Sequence, residues 1–432
     1  MKTLGLDIGT TTISAVVVEE TRVIASKTLP NHSFLRGTHS WEKIQDPEMI
    51  RAIAQEAVEE LLETHPDVAA IGVTGQMHGM LYLDAQGTPV SPLYTWQDGR
   101  GDLPFENGLT YAQTLSRLSG YLVSTGFGFV THFYHVKNGF VPQKAAVFCT
   151  IHDYIAMILA GRTVPVTEPS DGASFGLFRV DAGAFDEAAI RRAGMDANLV
   201  PQLAQTPCVG FYKDKPVCVA IGDNQASFLG ATGGSTNAMV LNMGTGGQIS
   251  VFTEEYLQCP GLETRPFPGG GYLLAGSSLC GGRAYALLEQ FLAGAVEAVT
   301  GTGQNCYDAL DALLGSAPKP QDLPCTAPLF QGTREDPTLR GSITGLTTEN
   351  FTLRHLAWSM LEGMAAELHD LYLRYEAQGG KPLPLIGSGN GLRKNPYLQR
   401  CCEDLFGKPL TMSHCREEAA TGAALYAVNG IQ

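Results

Sequence analysis

Two segments of this chain repeat one short pattern, and the repeat limits the folds that are open to it. Residues 4–18 read LGLDIGTTTISAVVV and residues 238–252 read AMVLNMGTGGQISVF, with Gly9-Thr10 aligned to Gly244-Thr245. In each segment an apolar run leads into a Gly-Thr turn and a second apolar run, which is the pattern of a β-hairpin. The repeat therefore predicts a duplicated architecture in which each half opens with one hairpin.

Both turns carry residue types that bind phosphate groups. Glycine lets the backbone approach a phosphate oxygen closely, and threonine adds a hydroxyl donor to the amide donors of the turn. The predicted phosphate contacts are Thr10, Thr11, Thr12, Gly244, Thr245 and Gly246. Two such turns in a duplicated chain are typical of actin-like ATPases, in which two domains grip one polyphosphate.

The length of the chain favours two domains. A chain of 432 residues exceeds one ordinary core, and the small, flexible stretch Gly230–Ser235 interrupts the apolar pattern, so we divide it into residues 1–231 and 232–432. Alternating strand and helix patterns predict an α/β fold, and the two Gly-Thr turns indicate that its two domains are actin-like (ribonuclease H-like). Each domain is expected to be a mixed sheet flanked by helices, with the active site in the interdomain cleft. Residues 300–340 have little regular pattern and are predicted to be loop-rich.

Charge and composition argue against several kinds of partner. The net charge of −14 disfavours nucleic acid and anionic membrane surfaces, because both reward a basic protein surface. No apolar run approaches the roughly 20 residues of a membrane span, and Asp7 interrupts the first apolar stretch, so a secretory signal is not expected either. The ten cysteines lack CxxC spacing and are interpreted as free thiols in a reducing cytoplasm.

Two aspartates occupy positions suited to phosphoryl transfer. Asp7 precedes the first turn and is predicted to hold Mg²⁺, partly through water, because Mg²⁺ sheds its waters reluctantly. Asp223 follows the apolar stretch Pro216–Ile221 and stands just before the predicted domain boundary. A carboxylate there is suited to accept the proton of a substrate hydroxyl, and a simple helix cap is the alternative interpretation.

Two further segments combine polar and aromatic groups in the way that recognises a polyol. Gln76-Met77-His78 ends a predicted strand, and residues 95–100 read TWQDGR. Sugars require hydrogen bonds to their hydroxyls and an apolar face for their C–H edges. The candidate sugar contacts are Gln76, Met77, His78, Trp96, Asp98, Arg100, Asp153, Asn224 and Gln225. For Asp153 and the neighbouring His152, a structural network is the alternative.

A glycine-rich loop in the second half is the candidate nucleoside site. Leu383–Ile386 is predicted to be a strand, and it runs into the sequence GSGNG at residues 387–391. We expect Gly387, Gly389 and Asn390 to contact the nucleoside. The small-residue helix predicted at residues 417–424 either packs against the nucleotide site or simply lets two helices approach closely.

With these residues identified, the chain resembles the FGGY carbohydrate kinases over essentially its whole length. The C-terminal signature of that family matches GSITGL at residues 341–346 and, eight residues later, HL at 355–356 and SMLE at 359–362. Within the family, four segments are similar to sedoheptulokinases: GQMHG at 75–79, TWQDGR at 95–100, STGFG at 124–128 and TIHDY at 150–154.

The resemblance implies an ATP- and Mg²⁺-dependent kinase that phosphorylates the terminal primary hydroxyl of a ketose, giving sedoheptulose 7-phosphate. It assigns the general base to Asp223 and the Mg²⁺-side carboxylate to Asp7. Kinases of xylulose or ribulose are the nearest alternatives. A non-kinase actin-like ATPase and a sugar-binding regulator without catalysis are further ones. The expected assembly is a monomer or homodimer that binds a sugar and ATP.

Three features depart from the family pattern. Ser14 stands where the family usually has Lys or Arg, which leaves the neutralisation of phosphate charge unassigned. The nucleoside loop begins Gly387-Ser388-Gly389 in place of the commoner double glycine. The chain is also short for the family, so the resemblance does not assign its oligomer contacts or the rim of its sugar pocket.

Overall fold

The structure, a computed structural model, describes residues 1–333 and 336–431. The strands in chain order are β1 (Lys2–Ile8), β2 (Thr12–Glu19), β3 (Arg22–Pro30), β4 (Ile44–Gln45), β5 (Val68–Gly75), β6 (Leu81–Leu83), β7 (Leu93–Tyr94), β8 (Val147–Cys149), β9 (Val166–Thr167), β10 (Phe178–Arg179), β11 (Ala184–Phe185), β12 (Gln202–Leu203), β13 (Cys208–Tyr212), β14 (Lys215–Cys218), β15 (Ile221–Gly222), β16 (Met239–Met243), β17 (Gly247–Thr253), β18 (Glu263–Pro266), β19 (Tyr272–Ser278), β20 (Cys325–Ala327), β21 (Ser342–Thr344), β22 (Leu385–Ser388) and β23 (Leu410–Met412).

The α-helices in chain order are α1 (Pro47–Thr64), α2 (Tyr111–Ser119), α3 (Gly128–Asn138), α4 (Ile151–Leu159), α5 (Pro169–Gly172), α6 (Glu187–Arg192), α7 (Asp223–Thr232), α8 (Gly281–Thr300), α9 (Tyr307–Gly315), α10 (Leu353–Ala377), α11 (Gly389–Lys394), α12 (Pro396–Phe406) and α13 (Glu418–Tyr426). Short 3₁₀ turns occupy Gly99–Asp102, Glu106–Gly108, Ala173–Phe175, Ala197–Leu199 and Ala427–Gly430. None of the helices in residues 1–333 and 336–431 is long and apolar enough to cross a membrane.

The chain divides into two compact units that are not contiguous in sequence. Unit 1 contains Met1–Ser235, Arg265–Gly271 and the C-terminal stretch from Cys415, and unit 2 contains Thr236–Thr264 and Tyr272–His414. The predicted division into 1–231 and 232–432 therefore misses two segments of the second half that pack on unit 1. One of these segments, Arg265–Gly271, is fixed by the rings of Phe228 and Phe267, whose centroids lie 5.8 Å apart. Gly230 lies inside α7, so the helix continues into the predicted linker.

The central sheet of unit 1 brings three strand ends together. Its strand order is β13-β14-β5-β1-β2-β3, and β15 also pairs with β5. The predicted first hairpin is confirmed, since β1 runs antiparallel to β2 with Ile8 opposite Ile13. Both β1 and β15 run parallel to β5, so Asp7 and Ile221 both lie opposite Thr74. The carboxyl ends of β1, β5 and β15 therefore meet at one edge of the sheet, where ligands bind in α/β folds.

Local sequence explains how α1 covers this sheet. Asp46 caps the helix by accepting hydrogen bonds from the amides of Glu48 and Met49, and Pro47 occupies the first helical position. The apolar residues recur every three or four positions, and this face is buried in the core of unit 1. The cap at Asp46, Pro47 and the apolar periodicity thus account for α1.

The small-residue helix α13 packs on unit 1, where glycines permit close approach. A Cβ atom on Gly5 would lie 1.8 Å from the carbonyl oxygen of Ala420, and one on Gly422 would lie 1.7 Å from that of Ala226. These glycines let α13 lie directly on β1 and α7. The structure therefore supports the close-approach interpretation of residues 417–424.

Unit 2 repeats the arrangement of unit 1. Its sheet includes the strand order β19-β17-β16-β22-β23. The predicted second hairpin is confirmed by antiparallel β16 and β17, with Met243 opposite Gly247, and β22 runs parallel to β16. The long helix α10 buries Leu361, Met364 and Leu368 in the core. Each unit thus contains a hairpin with a parallel strand beside its first arm.

The loop-rich prediction for residues 300–340 is wrong for part of that stretch. The helix α9 and the strand β20 lie within it. Burial of Leu310 and Leu314 against the core of unit 2 stabilises α9, a tertiary effect that a short local pattern does not reveal. The prediction also covers residues 334–335, which lie outside the described residues.

Candidate active site

Asp7 and Asp223 lie at the same edge of the unit 1 sheet, on either side of β5. The hydroxyl of Thr74, on β5, donates a hydrogen bond of 2.7 Å to the carbonyl of Ile221 and fixes the end of β15. Gly222 then occupies the N-cap of α7, and Asp223 is the first helical residue. Asp223 is therefore not the cap that the alternative interpretation proposed, although its charge still favours a helix N-terminus.

The surroundings of these aspartates perturb both carboxyl groups. Burial raises the pKa of Asp7 to about 7; the charge of Asp223 and then that of Glu417 add to this effect, and His152 opposes it. Burial also raises the pKa of Asp223, whereas His78, His152 and Arg265 lower it, His78 most. The charge of Asp223 thus acts on Asp7 and His152 acts on both carboxyls, an arrangement that favours a bound cation or a shared proton.

A buried network anchors His152 behind these aspartates. Its Nε2 atom lies 2.9 Å from Oδ1 of Asp171, and both side chains are fully buried. The hydroxyl of Thr150 donates to Oδ2 of Asp171 over 2.7 Å. Asp153 is only 1% exposed, and burial and then the charge of Asp171 raise its pKa. This burial favours the network alternative, and the sugar contact of Asp153 stays a prediction.

His78 is held in a strained backbone conformation. Its φ of +72° lies in the left-handed region, which a non-glycine residue rarely adopts. The Nδ1 atom lies 2.8 Å from the carbonyl oxygen of Ser174, and the ring stacks on Phe127 with centroids 4.4 Å apart. A carbonyl only accepts hydrogen bonds, so Nδ1 carries a proton. The contacts fix the imidazole ring near Asp223, as the effect on the pKa of Asp223 requires.

Thr10 joins the first turn to two predicted sugar contacts. Its hydroxyl accepts a hydrogen bond of 3.0 Å from the indole of Trp96 and donates one of 3.2 Å to Oε1 of Gln76. The amide of Gln76 donates to Oε1 of Gln45, and the amide of Gln45 donates to the carbonyl of Thr10, both over 2.9 Å. Trp96 remains 47% exposed, so its ring is available to a ligand. The structure thus brings Thr10, Gln76 and Trp96 together.

Asp98 and Arg100 form a buried ion pair and do not line an open site. The pair is joined over 2.6 Å, and the two side chains are 0% and 5% exposed. Asp98 also accepts a hydrogen bond from the amide of Lys43, and the guanidinium of Arg100 lies 4.2 Å from the ring centroid of Tyr94. The ion pair is enclosed in this structure, so the sugar contacts of Asp98 and Arg100 stay predictions. Buried charges persist only when they are paired. The ion pair therefore holds in place the loop that carries Trp96.

The residues around Asp223 have divided roles. Gln225 is fully buried and its amide donates over 2.8 Å to the carbonyl of Pro266, so it anchors the segment 265–271 and does not face a sugar. Asn224 is half-buried at the start of α7, and Met77 is buried beside Gly222. Gln225 thus brings Arg265, a residue of the second half of the chain, close to Asp223.

Unit 2 contains a cavity of about 910 Å³ beside the second turn. Its lining includes Gly244, Thr245, Gly282, Arg283, Tyr285, Gln290, Tyr307, Asp311, Asn390 and Lys394. Three predicted contacts, Gly244, Thr245 and Asn390, therefore share one cavity. Gly246 forms the end of the turn, where a Cβ atom would lie 2.8 Å from the carbonyl oxygen of Ser278.

Gly387 and Gly389 of the nucleoside loop serve packing, whereas Gly391 lines the cavity. A Cβ atom on Gly387 would meet the sulfur of Met412 at 2.6 Å, and one on Gly389 would meet the carbonyl oxygen of Met243 at 2.6 Å. Neither residue is among those that line the cavity. The prediction that Gly387 and Gly389 touch the nucleoside is therefore not supported, because neighbouring strands occupy the space beside them.

Sequence reasoning missed several residues of this site. Gln45 precedes a helix cap, and Arg265 lies in β18, forty residues after Gln225 in sequence. Asp171 follows a short proline-containing segment and carries no recognisable motif. Only the TIHDY segment marked the region of His152.

Comparison with known proteins agrees with this architecture. Residues 2–230 match the N-terminal domain and residues 239–430 the C-terminal domain of the FGGY family of carbohydrate kinases. The sedoheptulokinase of Mus musculus is 28% identical and the alignment covers 98% of this chain and 96% of the mouse protein. A glycerol kinase of Methylibium petroleiphilum is 27% identical over 98% of this chain and 89% of that protein.

Solved structures show the same fold. A xylulose kinase from Rhodospirillum rubrum aligns with a TM-score of 0.83 at 23% identity, covering 100% of this chain and 91% of that one. Plasmodium falciparum glycerol kinase with ADP aligns with a TM-score of 0.80 at 18% identity, covering 100% and 89% of the two chains. The fold is thus that of two actin-like α/β domains. The chain belongs to the FGGY family of carbohydrate kinases.

Proposed function

We propose that this carbohydrate kinase transfers the terminal phosphate of ATP to the terminal primary hydroxyl of a ketose, and that the ketose is sedoheptulose. The observation that carries the proposal is the position of Asp223, which opens α7 beside Asp7 and is flanked by His78 and Arg265. Family membership supplies the reaction class. The sedoheptulokinase-like segments and the curated sedoheptulokinase relatives support the choice of sugar.

Asp223 acts as the general base in this proposal. The sugar hydroxyl oxygen attacks the terminal phosphorus of ATP, the bond to the leaving ADP oxygen breaks, and the hydroxyl proton passes to the carboxylate. The basic groups His78 and Arg265, together with the N-terminus of α7, favour the ionised form that can accept this proton. Trp96 and Gln76 are the proposed sugar contacts nearest to the first turn.

The carboxyl groups at this edge fit a magnesium ion. Mg²⁺ prefers oxygen donors and, when bound, would shield the charge of the transferring phosphate. Asp7 would hold it, since burial and then the charges of Asp223 and Glu417 raise its pKa, and a bound cation would offset that effect on the carboxylate. No cluster of three or more His, Cys, Asp or Glu side chains suited to a metal occurs in residues 1–333 and 336–431. Water and phosphate oxygens are therefore the remaining ligands in this proposal.

The cavity of unit 2 is the proposed ATP site. Arg283 and Lys394 supply positive charge for phosphates, and Tyr285 and Tyr307, with ring centroids 6.0 Å apart, supply aromatic surface for the base. The turn at Gly244 lies on the same cavity. We further propose that the enzyme works in the cytoplasm, on the cysteine pattern of the sequence.

The test is ADP release from ATP and Mg²⁺ with sedoheptulose, xylulose, ribulose, glycerol or no sugar, followed by ³¹P NMR of each product. The proposal expects the highest kcat/KM with sedoheptulose and a phosphate ester on its terminal carbon. A preference for xylulose or ribulose would keep the kinase but change its sugar. Equal ADP release with and without every sugar would refute the kinase and favour a partner-coupled ATPase.

A further inference from the structure

The carbonyl groups of the first Gly-Thr turn are all held by neighbouring residues. The carbonyl of Gly9 accepts a hydrogen bond of 2.9 Å from the side-chain amide of Asn31. The carbonyl of Thr10 accepts one of 2.9 Å from the side-chain amide of Gln45, and that of Thr11 accepts one of 2.8 Å from the backbone amide of Asn31. Three consecutive peptide groups are thereby fixed in orientation.

This fixation decides where the amide donors of the turn point. The described residues contain no cis peptide bond, and in a trans peptide the N–H points opposite to the C=O of the same peptide group. The N–H groups of Thr10, Thr11 and Thr12 therefore point away from Asn31 and Gln45. Within residues 1–333 and 336–431, the amides of Thr10 and Thr11 donate to no protein acceptor.

Asn31 and Gln45 approach the turn from one side because their segments pair with each other. The amide of Asp46 donates over 2.8 Å to the carbonyl of Ser33, and Phe34 forms a β-bridge with Gln45. Both side chains are buried, and each amide oxygen has its own donor, from Ser33 in one case and Gln76 in the other. Their NH₂ groups are thus directed at the turn.

The carbonyls of the second turn are also held by hydrogen bonds, here from the first backbone amides of α8. Gly282 donates over 2.9 Å to the carbonyl of Gly244, and Arg283 donates over 3.1 Å to that of Thr245. A helix N-terminus therefore fixes the second turn, and two side-chain amides fix the first. In each turn the carbonyls of the Gly-Thr pair are thus held by neighbouring N–H donors, but the donors differ.

From these contacts we infer that Asn31 and Gln45 are positioning residues for phosphoryl transfer. They hold the first turn so that its amide donors are available to a phosphate group, and Gln45 fixes Gln76 at the same time. The inference rests on the proposed function for the identity of the anion. Donors fixed before the reaction stabilise developing charge without reorganisation. This donor set also fits the absence of a basic side chain at Ser14, whose hydroxyl pairs with Thr28 over 3.0 Å.

The test compares the affinities for ATP and AMP in Asn31→Asp and Gln45→Glu, measured by calorimetry with Mg²⁺. Each substitution is isosteric and keeps the acceptor, but each replaces the NH₂ group that holds a carbonyl. AMP lacks the terminal phosphates, so its affinity should stay within about threefold of wild type, while ATP affinity and kcat/KM for ATP fall about 10- to 100-fold. Gln45→Met, which is similar in volume and uncharged, should show the same split and should also raise KM for the sugar through Gln76.

Gln113→Met is the matched control, because Gln113 lies in the capping box of α2 in unit 1 and not at the turn. It should leave both affinities unchanged, and melting temperatures of all variants verify their folding. An unchanged ATP-to-AMP ratio in the three folded variants would overturn the inference. A wild-type protein that binds ATP but releases no sugar phosphate would overturn the proposed function instead, and the affinity ratio would still test the positioning role.

Discussion

Replacing Glu168 by glutamine should stabilise the protein at neutral and alkaline pH. Glu168 is 7% exposed, and its carboxylate accepts hydrogen bonds from the hydroxyl and, over 2.7 Å, the amide of Ser170. Burial raises its pKa to about 7 even though the contacts with Ser170 lower it. The position matters for the site, because the hydroxyl of Ser170 also accepts a hydrogen bond of 3.1 Å from Gly222, the residue before Asp223.

The pKa of Glu168 fixes the sign and the size of the effect. Between its ordinary value of 4.5 and about 7, the unfolded chain releases the proton while the folded protein keeps it. The folded state then binds more protons, so the free energy of unfolding falls as pH rises through this window. At about 1.4 kcal/mol per pKa unit, the full difference amounts to about 3 kcal/mol above pH 7. Relaxation around the ionised group makes this an upper value.

Glu168→Gln removes this penalty because an amide does not ionise and its oxygen still accepts both bonds from Ser170. We expect the free energy of unfolding at pH 8 to rise by about 1–3 kcal/mol, or about 2–4 °C in melting temperature per kcal/mol. At pH 4.5 the two proteins should differ little. Differential scanning fluorimetry and urea titrations at both pH values measure the difference, with Glu63→Gln, an exposed residue of α1, as control. Equal effects at the two pH values, or a loss of stability at pH 8, would refute the reasoning.

Two further predictions concern packing and the charge around the base. Gly422→Ala should destabilise the protein by about 1–3 kcal/mol, because the new Cβ would lie 1.7 Å from a carbonyl oxygen of α7. The matched control Gly294→Ala, in α8 with no atom within 4 Å, should be neutral or stabilising by up to about 1 kcal/mol, and urea unfolding decides between them. Arg265→Gln should raise the pKa of Asp223, since the guanidinium lowers it. The acidic limb of the pH profile of kcat/KM should therefore move to higher pH. An unmoved limb would contradict the electrostatic effect of Arg265 on Asp223.

The elements that could be predicted from sequence are those written in local pattern. The two hairpins, α1 after Asp46 and α10 follow from turn residues, a helix cap and apolar periodicity, which act within a few residues. The adjacency of Asp7 and Asp223 follows less directly. It depends on the rule that the carboxyl ends of parallel strands meet at one edge of a sheet. Helix α9 was missed because its apolar stripe is short and depends on the core of unit 2.

Much of the site could not be predicted because it depends on partners distant in sequence. Asp98 and Arg100 look like ligand groups in sequence, but a buried ion pair and an exposed polar site have the same composition. Asn31 and Gln45 donate from their side-chain amides to backbone carbonyls. No fixed spacing of residues in a sequence indicates such hydrogen bonds. Arg265 reaches unit 1 from the second half of the chain through packing on α7.

The most direct test of the account is the rate of sugar phosphate formation by Asp223→Asn at saturating ATP, Mg²⁺ and sedoheptulose. General-base removal should lower kcat by about 10²- to 10⁴-fold, while ATP affinity measured by calorimetry stays within about threefold of wild type. Asp181→Asn, at an exposed aspartate of unit 1, should retain full activity. A folded Asp223→Asn protein that transfers phosphate within tenfold of wild type would contradict the assignment of the base.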